Sequence, residues 1–477
     1  MDARSNKLKV PLAVDLDGTL IAGDLLWEGL FALLRKNPLF LFLVPVWLAS
    51  GPQRLKHEIA SRVDIDAAGL PYRDDVIERL KAEKASGRMV VLATAASRRY
   101  ADAVASHLGL FDQVFASDET VNLKSARKRD ALVAAFGDGG FDYAGNDRAD
   151  LVLFDAAADA LVVDPDREAR AWAKAHDAEI IEGRRIGLRA VLKMLRVHQW
   201  LKNVLIAVPM VLNHEYFNIG MLAACAIAFV SFSSAASAIY IVNDFFDLNL
   251  DRRHRTKKNR PLASGAISLR TGALTAGGLL AVSLTTALAL PLPFLGVLAA
   301  YLVATTAYSL SLKRMLLVDV LTLAGLYTAR ILAGAAATGV AVSFWLLAFS
   351  IFFFLSLSLV KRFVELDSTQ TPVGAKLAGR GYRPEDLDIV AQAGIASAFA
   401  AALVLALYIN SVDVIEMYAH PWLVWPLGPI ILYLTLRIWV LARRKEMHDD
   451  PVVFLIGDWR SLMVVGFGAV LVFMARA

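Results

Sequence analysis

The chain has 477 residues, 57% of them hydrophobic, with 50 Lys plus Arg against 45 Asp plus Glu for a formal net charge of +5. A mean hydropathy of +0.51 is too apolar for a single soluble domain, and the basic residues cluster in a few loops without an aromatic-interleaved stripe, which argues against a nucleic-acid partner. Cys225 stands alone inside an apolar run, so neither an internal disulfide nor a cysteine-rich metal site is available.

The apolarity is uneven. Residues 1–188 mix charges with alternating segments, as soluble domains do, and residues 189–477 are dominated by long apolar runs; one soluble and one membrane-embedded domain are expected. No signal peptide is read at the start, where Lys7-Leu8-Lys9 leads into a strand-like run. Strand-like runs at 11–16, 89–94, 113–116, 141–144 and 161–163, separated by helical segments, predict an α/β doubly wound parallel sheet. The first run ends in Asp15-Leu16-Asp17-Gly18-Thr19 and the second in Thr94. Lys124 follows an Asn-Leu pair, and Gly145-Asn146-Asp147-Arg148-Ala149-Asp150 follows the fourth run. An insertion occupies about 22–75; its apolar stretch 38–50 is too short to span a bilayer and reads either as a segment lying on lipid or as a cap helix packed on its neighbours. Residues 182–189 form a basic, glycine-containing linker.

Apolar windows near 203–217, 219–242, 272–291, 293–311, 317–338, 343–360, 388–409, 421–441 and 460–475 predict an all-α polytopic bundle of about nine transmembrane helices. Connectors at 251–270, 313–314, 361–383 and 443–445 are basic, whereas those near 213–218, 291–293, 339–342 and 410–420 hold no Lys or Arg, and the two classes alternate. The positive-inside rule puts the basic set in the cytoplasm together with the N-terminal domain, and an odd number of spans leaves the C-terminus outside.

The second span runs into Asn243-Asp244-Phe245-Phe246-Asp247-Leu248-Asn249-Leu250-Asp251. Spacings of three and four stack these side chains on one helix face. Carboxylates at a bilayer edge must pair or hold a cation, and oxygen-only ligands suit Mg2+, which keeps waters and shares its shell with substrate phosphates. Arg252, Arg253, Arg255, Lys257, Lys258 and Arg260 follow at once, and acid followed by base suits a metal-bridged pyrophosphate. Further candidates are Arg196, Lys202 and Asn203 before the first span, Tyr308, Lys313, Arg314, Asp319 and Arg330, and the group Lys361, Arg362, Glu365 and Asp367. The bland reading makes the basic residues topology anchors, and Asp319 with Arg330 a mutual structural salt bridge; three spaced acids at a membrane border serve no such purpose. Asp449, Asp450, Asp458 and Arg460 read as helix-end charges rather than ligands, and the scattered histidines suggest no metal cluster, though His254 stands beside the basic run.

Asp15-x-Asp17-Gly-Thr, with the segments after it, resembles the haloacid dehalogenase (HAD) superfamily of phosphotransferases over about 8–185. The resemblance implies Asp15 as nucleophile, Asp17 as general acid and base, Thr94 and Lys124 on the phosphate, and Mg2+ held by Asp15 and Asp17 with Asp147 or Asp150. Asn146 stands where the family has Asp, so an active phosphatase and a degenerate, regulatory domain both remain open. Residues 195–477 resemble the UbiA superfamily of intramembrane prenyltransferases, in which a helical ring opens to the cytoplasm and the acidic motif binds magnesium and a diphosphate. Four segments resemble its decaprenyl-phosphate phosphoribosyltransferase branch: Arg196-x-x-Gln-Trp-x-Lys-Asn203, the acidic motif continuing to His254 and Arg260-Pro-Leu-Ala-Ser-Gly265, Tyr308 through Lys313 with Asp319 and Arg330, and Lys361-Arg-x-x-Glu-Leu366. Prenyl-diphosphate users carry a second acidic cluster where this chain has Lys361-Arg362-Phe-Val-Glu365-Leu-Asp367.

The resemblance implies an enzyme of the bacterial inner membrane and cell envelope. It would transfer phosphoribose from phosphoribosyl pyrophosphate to a polyprenyl phosphate, using Asp244, Asp247 and Asp251 for Mg2+ and Asn243, Lys202, Lys257, Lys258, Arg260, Lys361 and Arg362 for phosphates. The HAD half would then remove the 5-phosphate. Rival readings are prenyl transfer to an aromatic or other acceptor, a transporter or receptor with a regulatory domain, and a membrane anchor for a phosphatase; the last leaves the acidic motif unexplained.

Overall fold

The computed structural model describes residues 10–119, 121–183, 187–368, 372, 374–377, 379–447 and 450–476. Lys7, Lys9, Asp449 and the centre of the 182–189 linker lie outside them. The chain forms two compact units, Met1–Leu195 with Tyr240–Ala276, and Arg196–Ile239 with Gly277–Ala477. A division at 188/189 would place the acidic motif with the membrane half; by its contacts that stretch groups with the first unit.

In the first unit six strands, β1 (Leu12–Val14), β2 (Val90–Ser97), β3 (Gln113–Ser117), β4 (Asp142–Gly145), β5 (Ala160–Val163) and β6 (Glu179–Ile181), form a sheet in the order β3-β2-β1-β4-β5-β6. Every pairing is parallel. The short strands read as continuous apolar runs because both faces are covered: Leu12, Val14, Val90 and Leu92 pack with Tyr100 and Val104, and Ala13, Val91, Phe141 and Tyr143 pack with Leu132 and Phe154. β6 was not read from the sequence; it is three half-exposed residues at a sheet edge. The chain order reverses at β1, so a ligand crevice is expected off its carboxyl end, where Asp15 and Asp17 follow.

The insertion begins with helix Leu25–Lys36, whose Asp24 cap accepts from Leu26 N at 2.8 Å. Leu33, Trp47, Leu55 and Ile59 form a small core there. Leu39, Phe42 and Val46 stay more than half exposed, so the apolar stretch packs through Trp47 and turns its other side outward. Its helix, Pro38–Ala49, is too short to cross a bilayer.

Seven described helices are long and apolar enough to cross a membrane: Ile219–Phe246, Leu292–Leu310, Val318–Thr338, Phe344–Asp367, Pro384–Ile409, Pro421–Arg443 and Trp459–Arg476. Of the other two expected spans, one is the 19-residue helix Leu269–Ala287, diluted by Gly and Thr. The other, near 203–217, is a 3-10 segment Val197–Ala207 followed by the short helix Val208–Leu212, with Pro209 lacking the amide that a continuous helix would use. In the second unit, Phe232, Phe294, Leu298 and Tyr301 build one apolar core, and Phe354, Val360, Phe363 and Trp439 another.

Close helix approach in the second unit depends on small residues. A Cβ on Gly394 would lie 1.9 Å from Trp439 Cζ2. The same contact is locked by Ser356 Oγ, which donates to Gly394 O at 2.8 Å and accepts from Trp439 Nε1 at 3.1 Å. Gly394→Leu is therefore expected to overpack this seam and destabilise the protein by roughly 1–3 kcal/mol; a lowered melting temperature in detergent checks it, with Gly296→Leu, where nothing lies near, as the control that melts like the parent.

Candidate functional site

Beyond β1 the backbone turns at Gly18 with φ +81°, and a Cβ there would collide with Asn146 Nδ2 at 2.3 Å. Asp15, buried, accepts from Lys128 Nζ at 2.7 Å. Lys128 Nζ also donates to Tyr143 OH at 2.8 Å and Asp150 Oδ1 at 3.4 Å. Asp150 is saturated: Oδ1 also accepts from Tyr143 OH at 2.8 Å, and Oδ2 accepts from Asn146 N at 2.9 Å. It thereby holds Lys128 and the Asn146–Asp147 turn in place. Asp17 Oδ1 accepts from Leu25 N at 2.8 Å, tying the motif to the insertion.

A cavity of about 340 Å3 opens over Asp15 and Asp17, lined also by Lys56, Ser97, Lys124, Lys128 and Asp147. Burial, only partly offset by Lys128, pushes the Asp15 carboxyl up to about 7. Burial and then the Asp24 and Asp15 charges hold Asp17 well above the ordinary carboxylate range. For Lys128, burial alone would lower the pKa, but Asp15 and Asp150 together outweigh it and keep the ammonium charged. Asp147 is likewise raised, by burial and by Asp150. Clustered carboxylates that repel one another are what a bound cation relieves. Among the described residues no three or more His, Cys, Asp or Glu side chains are grouped closely enough to hold a metal ion by themselves. Asp15, Asp17 and Asp147 line one cavity, and these oxygen donors would hold Mg2+ only with waters and phosphate oxygens completing its shell.

The acidic motif lies at the joint between helices Ile219–Phe246 and Leu248–Arg253. Helical hydrogen bonds cross the joint, Asp247 N to Asn243 O at 2.9 Å and Asp251 N to Asp247 O at 2.8 Å. Asp244 and Asp251, two turns apart and both buried, consequently share a face. Arg260 Nη1 bridges them, at 3.0 Å from Asp244 Oδ1 and 2.5 Å from Asp251 Oδ2. The guanidinium supplies the cation these carboxylates call for, and two carboxylates alone would leave most of a magnesium shell to other oxygens. Asn243 and Asp247 are half-buried on the same stretch, while His254, Lys257 and Lys258 are exposed.

In the second unit the other candidates fall into three groups. Asp450, the N-cap of helix Pro451–Gly457, accepts from Lys202 Nζ at 2.6 Å, Tyr327 OH at 3.0 Å and Lys361 Nζ at 3.3 Å. Arg330 Nε donates to Asn203 Oδ1 at 2.8 Å, and Asn203 donates to Ser233 Oγ at 2.9 Å. Asp319 pairs with Arg362 at 2.5 Å, both side chains fully buried, and accepts from Tyr382 OH at 2.7 Å. Arg362 also contacts Glu365, which Arg380 ties to Tyr308 OH at 3.2 Å. Asp319 and Arg330 do not form the mutual salt bridge considered from the sequence; each has its own partner. Arg196 takes a left-handed conformation at φ +51° as cap of the 3-10 segment, and Lys313 sits in the 3-10 turn Leu312–Arg314.

Several site residues went unread in the sequence. Lys128, not Lys124, contacts Asp15: helix Ala126–Phe136 carries it there, while Lys124 lies ahead of that helix and exposed. Thr94 is fully buried and accepts from Ala96 N at 3.0 Å, while Ser97 and Ser125 are serine hydroxyls that line the cavity. Asp150, expected as a metal ligand, is taken up by Lys128, Tyr143 and the turn. Asp450 is a helix-end charge, as read, and in addition a buried charge hub.

The UbiA prenyltransferase family profile matches residues 204–472, and that of the haloacid dehalogenase-like hydrolases matches residues 12–129. An uncharacterised protein of Sinorhizobium fredii, y4nM, is 38% identical over 463 residues, 96% of this chain and 89% of its own. Nodulation protein NoeC of Azorhizobium caulinodans is 33% identical over 280 residues, covering 58% of this chain and 91% of its own. The decaprenyl-phosphate phosphoribosyltransferase of Mycobacterium tuberculosis is 36% identical over 180 residues, which are 37% of this chain and 60% of that protein.

Removing one partner from a buried charge group costs roughly 3–5 kcal/mol. Asp450→Ala leaves Lys202 buried beside Lys361 without its carboxylate and is expected to destabilise on that scale. Thermal melting in detergent checks this, and Lys202→Met in the same background is expected to recover much of the loss.

Proposed function

The chain belongs to the UbiA prenyltransferase family, and on that premise we propose that it moves a phosphoribosyl group from phosphoribosyl pyrophosphate to the phosphate of a polyprenyl phosphate. Its haloacid dehalogenase-like part then removes the 5-phosphate. The protein is an integral membrane protein; in this reading the first unit lies on the cytoplasmic side and the C-terminus outside, as the loop charges require.

The observation that carries the choice of donor is the stretch Lys361-Arg362-Phe-Val-Glu365-Leu-Asp367, which places two cations, beside Glu365 and Asp367, where a prenyl-diphosphate user would carry an acidic cluster. In the folded chain Arg362 braces Asp319, while Lys361 shares Asp450 with Lys202. The similarity to the mycobacterial phosphoribosyltransferase supports the same donor.

Magnesium on Asp244 and Asp251, when bound, would neutralise the pyrophosphate as it leaves. Arg260, already between those carboxylates, offers its guanidinium to the same oxygens. As the bond from the anomeric carbon to the pyrophosphate oxygen breaks, positive charge grows on the sugar and nearby carboxylates stabilise it. A phosphate oxygen of the acceptor, ionised at neutral pH, forms the new bond, so no strong base is needed. In the first unit an Asp15 oxygen attacks phosphorus and the ester bond to the sugar breaks. Asp17, tied to the insertion through Leu25 N beside the nucleophile, serves as the general acid that gives a proton to the leaving sugar oxygen. Water then cleaves the acyl phosphate, releasing inorganic phosphate and restoring Asp15. Lys128 holds the nucleophile in position throughout. Loss of the 5-phosphate draws the transfer forward, and covalent fusion keeps the product at high effective concentration.

Purified chain in nanodiscs with Mg2+ and a polyprenyl phosphate is expected to release pyrophosphate from phosphoribosyl pyrophosphate and to leave a prenyl diphosphate untouched; the reverse preference sinks the reading. Asp244→Asn is expected to slow transfer by roughly 100-fold or more, the scale of losing a preorganised electrostatic group. Asp15→Asn is expected to transfer normally but yield a lipid that keeps its 5-phosphate, read by mass spectrometry; a dephosphorylated lipid from that variant contradicts the second step.

A further inference from the structure

Beside the pocket over Asp15, the first unit holds a larger cavity of about 1140 Å3. One side is built from Asp17, Gly18 and Asp147, and the other from the stretch after the acidic motif, with Arg252, Lys258 and Arg270. Asp17, Asp24 and Asp147 line both cavities, so the two spaces meet at Asp17.

The far wall is a fixed part of the unit. Arg252 grips Glu28 of the insertion with two hydrogen bonds of 2.6 and 3.1 Å, both side chains being buried, and donates to Ala263 O at 3.0 Å. Gly265 lies at φ +70° against the insertion, where a Cβ would fall 2.5 Å from Ala22 O. Phe245 stacks on Phe31 with ring centroids 3.9 Å apart. A bidentate arginine, a glycine contact and a ring stack hold this wall at three separate points.

The cations of the cavity are unequally engaged. Arg73 pairs with Asp164, Arg252 with Glu28 and Arg253 with Asp66. Among the described residues no carboxylate pairs with Lys258 or Arg270, which face the cavity with their charges available.

We propose that the large cavity is the leaving-group pocket of the phosphatase, and that Lys258 and Arg270 bind a second anionic group on the substrate, such as the phosphodiester of a lipid-linked sugar, while its terminal phosphomonoester sits at Asp15. This rests on the phosphatase reading above and deepens it: the loop that carries the transferase motif selects the phosphatase substrate. Selection comes from charge at a distance from the scissile bond, so it discriminates by a second anion rather than by the sugar.

The test uses the full chain in nanodiscs carrying Asp15→Asn to stop turnover and Asp244→Asn to silence the acidic motif. Ribose 1,5-bisphosphate and ribose 5-phosphate are titrated calorimetrically, with and without Lys258→Gln plus Arg270→Gln. The expected result is a bisphosphate affinity that falls at least about tenfold more than that for ribose 5-phosphate, the scale of losing hydrogen bonds to charged groups. The pair Lys258→Arg and Arg270→Lys is expected to restore the preference. Equal losses for both sugars, or no loss for either, overturn the proposal. Failure of the underlying reading shows separately, as absence of phosphate release from ribose 1,5-bisphosphate by the unmutated chain.

Discussion

Arg260 between Asp244 and Asp251 is the interaction on which the rest depends. Carboxylates at the end of a membrane-spanning helix are tolerable only when a cation stands between them. The chain supplies one from nine residues downstream, bending the 252–260 stretch back onto the helix end. That bend fixes where Arg252 and Gly265 fall, and those two residues fasten the stretch to the insertion of the α/β sheet. Tyr240–Ala276 accordingly groups by its contacts with the N-terminal part of the chain.

The same rule recurs in the second unit. Lys202 and Lys361 converge on Asp450, Arg362 on Asp319, and Arg330 on Asn203. Each buried charge has a partner, which is the condition for keeping it inside an apolar bundle. The groups differ in what they leave over. Asp319 and Arg362 neutralise each other without exposed surface and act as a brace. The Asp450 group carries two lysines for one carboxylate, with Lys361 still 43% exposed on its side chain.

What could be read from the sequence follows the range of each signal. The turn after β1 and the acidic motif declare themselves because their residues are neighbours in the chain and their spacing is geometry. The doubly wound sheet was legible for the same reason, as short apolar runs between helical stretches. Lys128 was not, because choosing between it and Lys124 requires knowing that the helix begins at Ala126. Ser97 lost to Thr94 because β2 runs to Ser97, three residues beyond the apolar run. Asp450 is 248 residues from Lys202, and no local pattern distinguishes such a carboxylate from an ordinary helix cap. Membership in the family was legible; the pairing of charges across helices was not, since it is a property of packing alone.

Manganese electron paramagnetic resonance tests the central claim most directly. The full chain carrying Asp17→Asn, which empties the pocket off β1 of one of its carboxylates, is mixed with Mn2+ and pyrophosphate in nanodiscs. The account predicts a bound signal with phosphorus hyperfine coupling that disappears when Asp251→Asn is added. A signal of equal intensity in both proteins would contradict the pairing of Asp244 and Asp251 around a cation, and with it the transferase assignment.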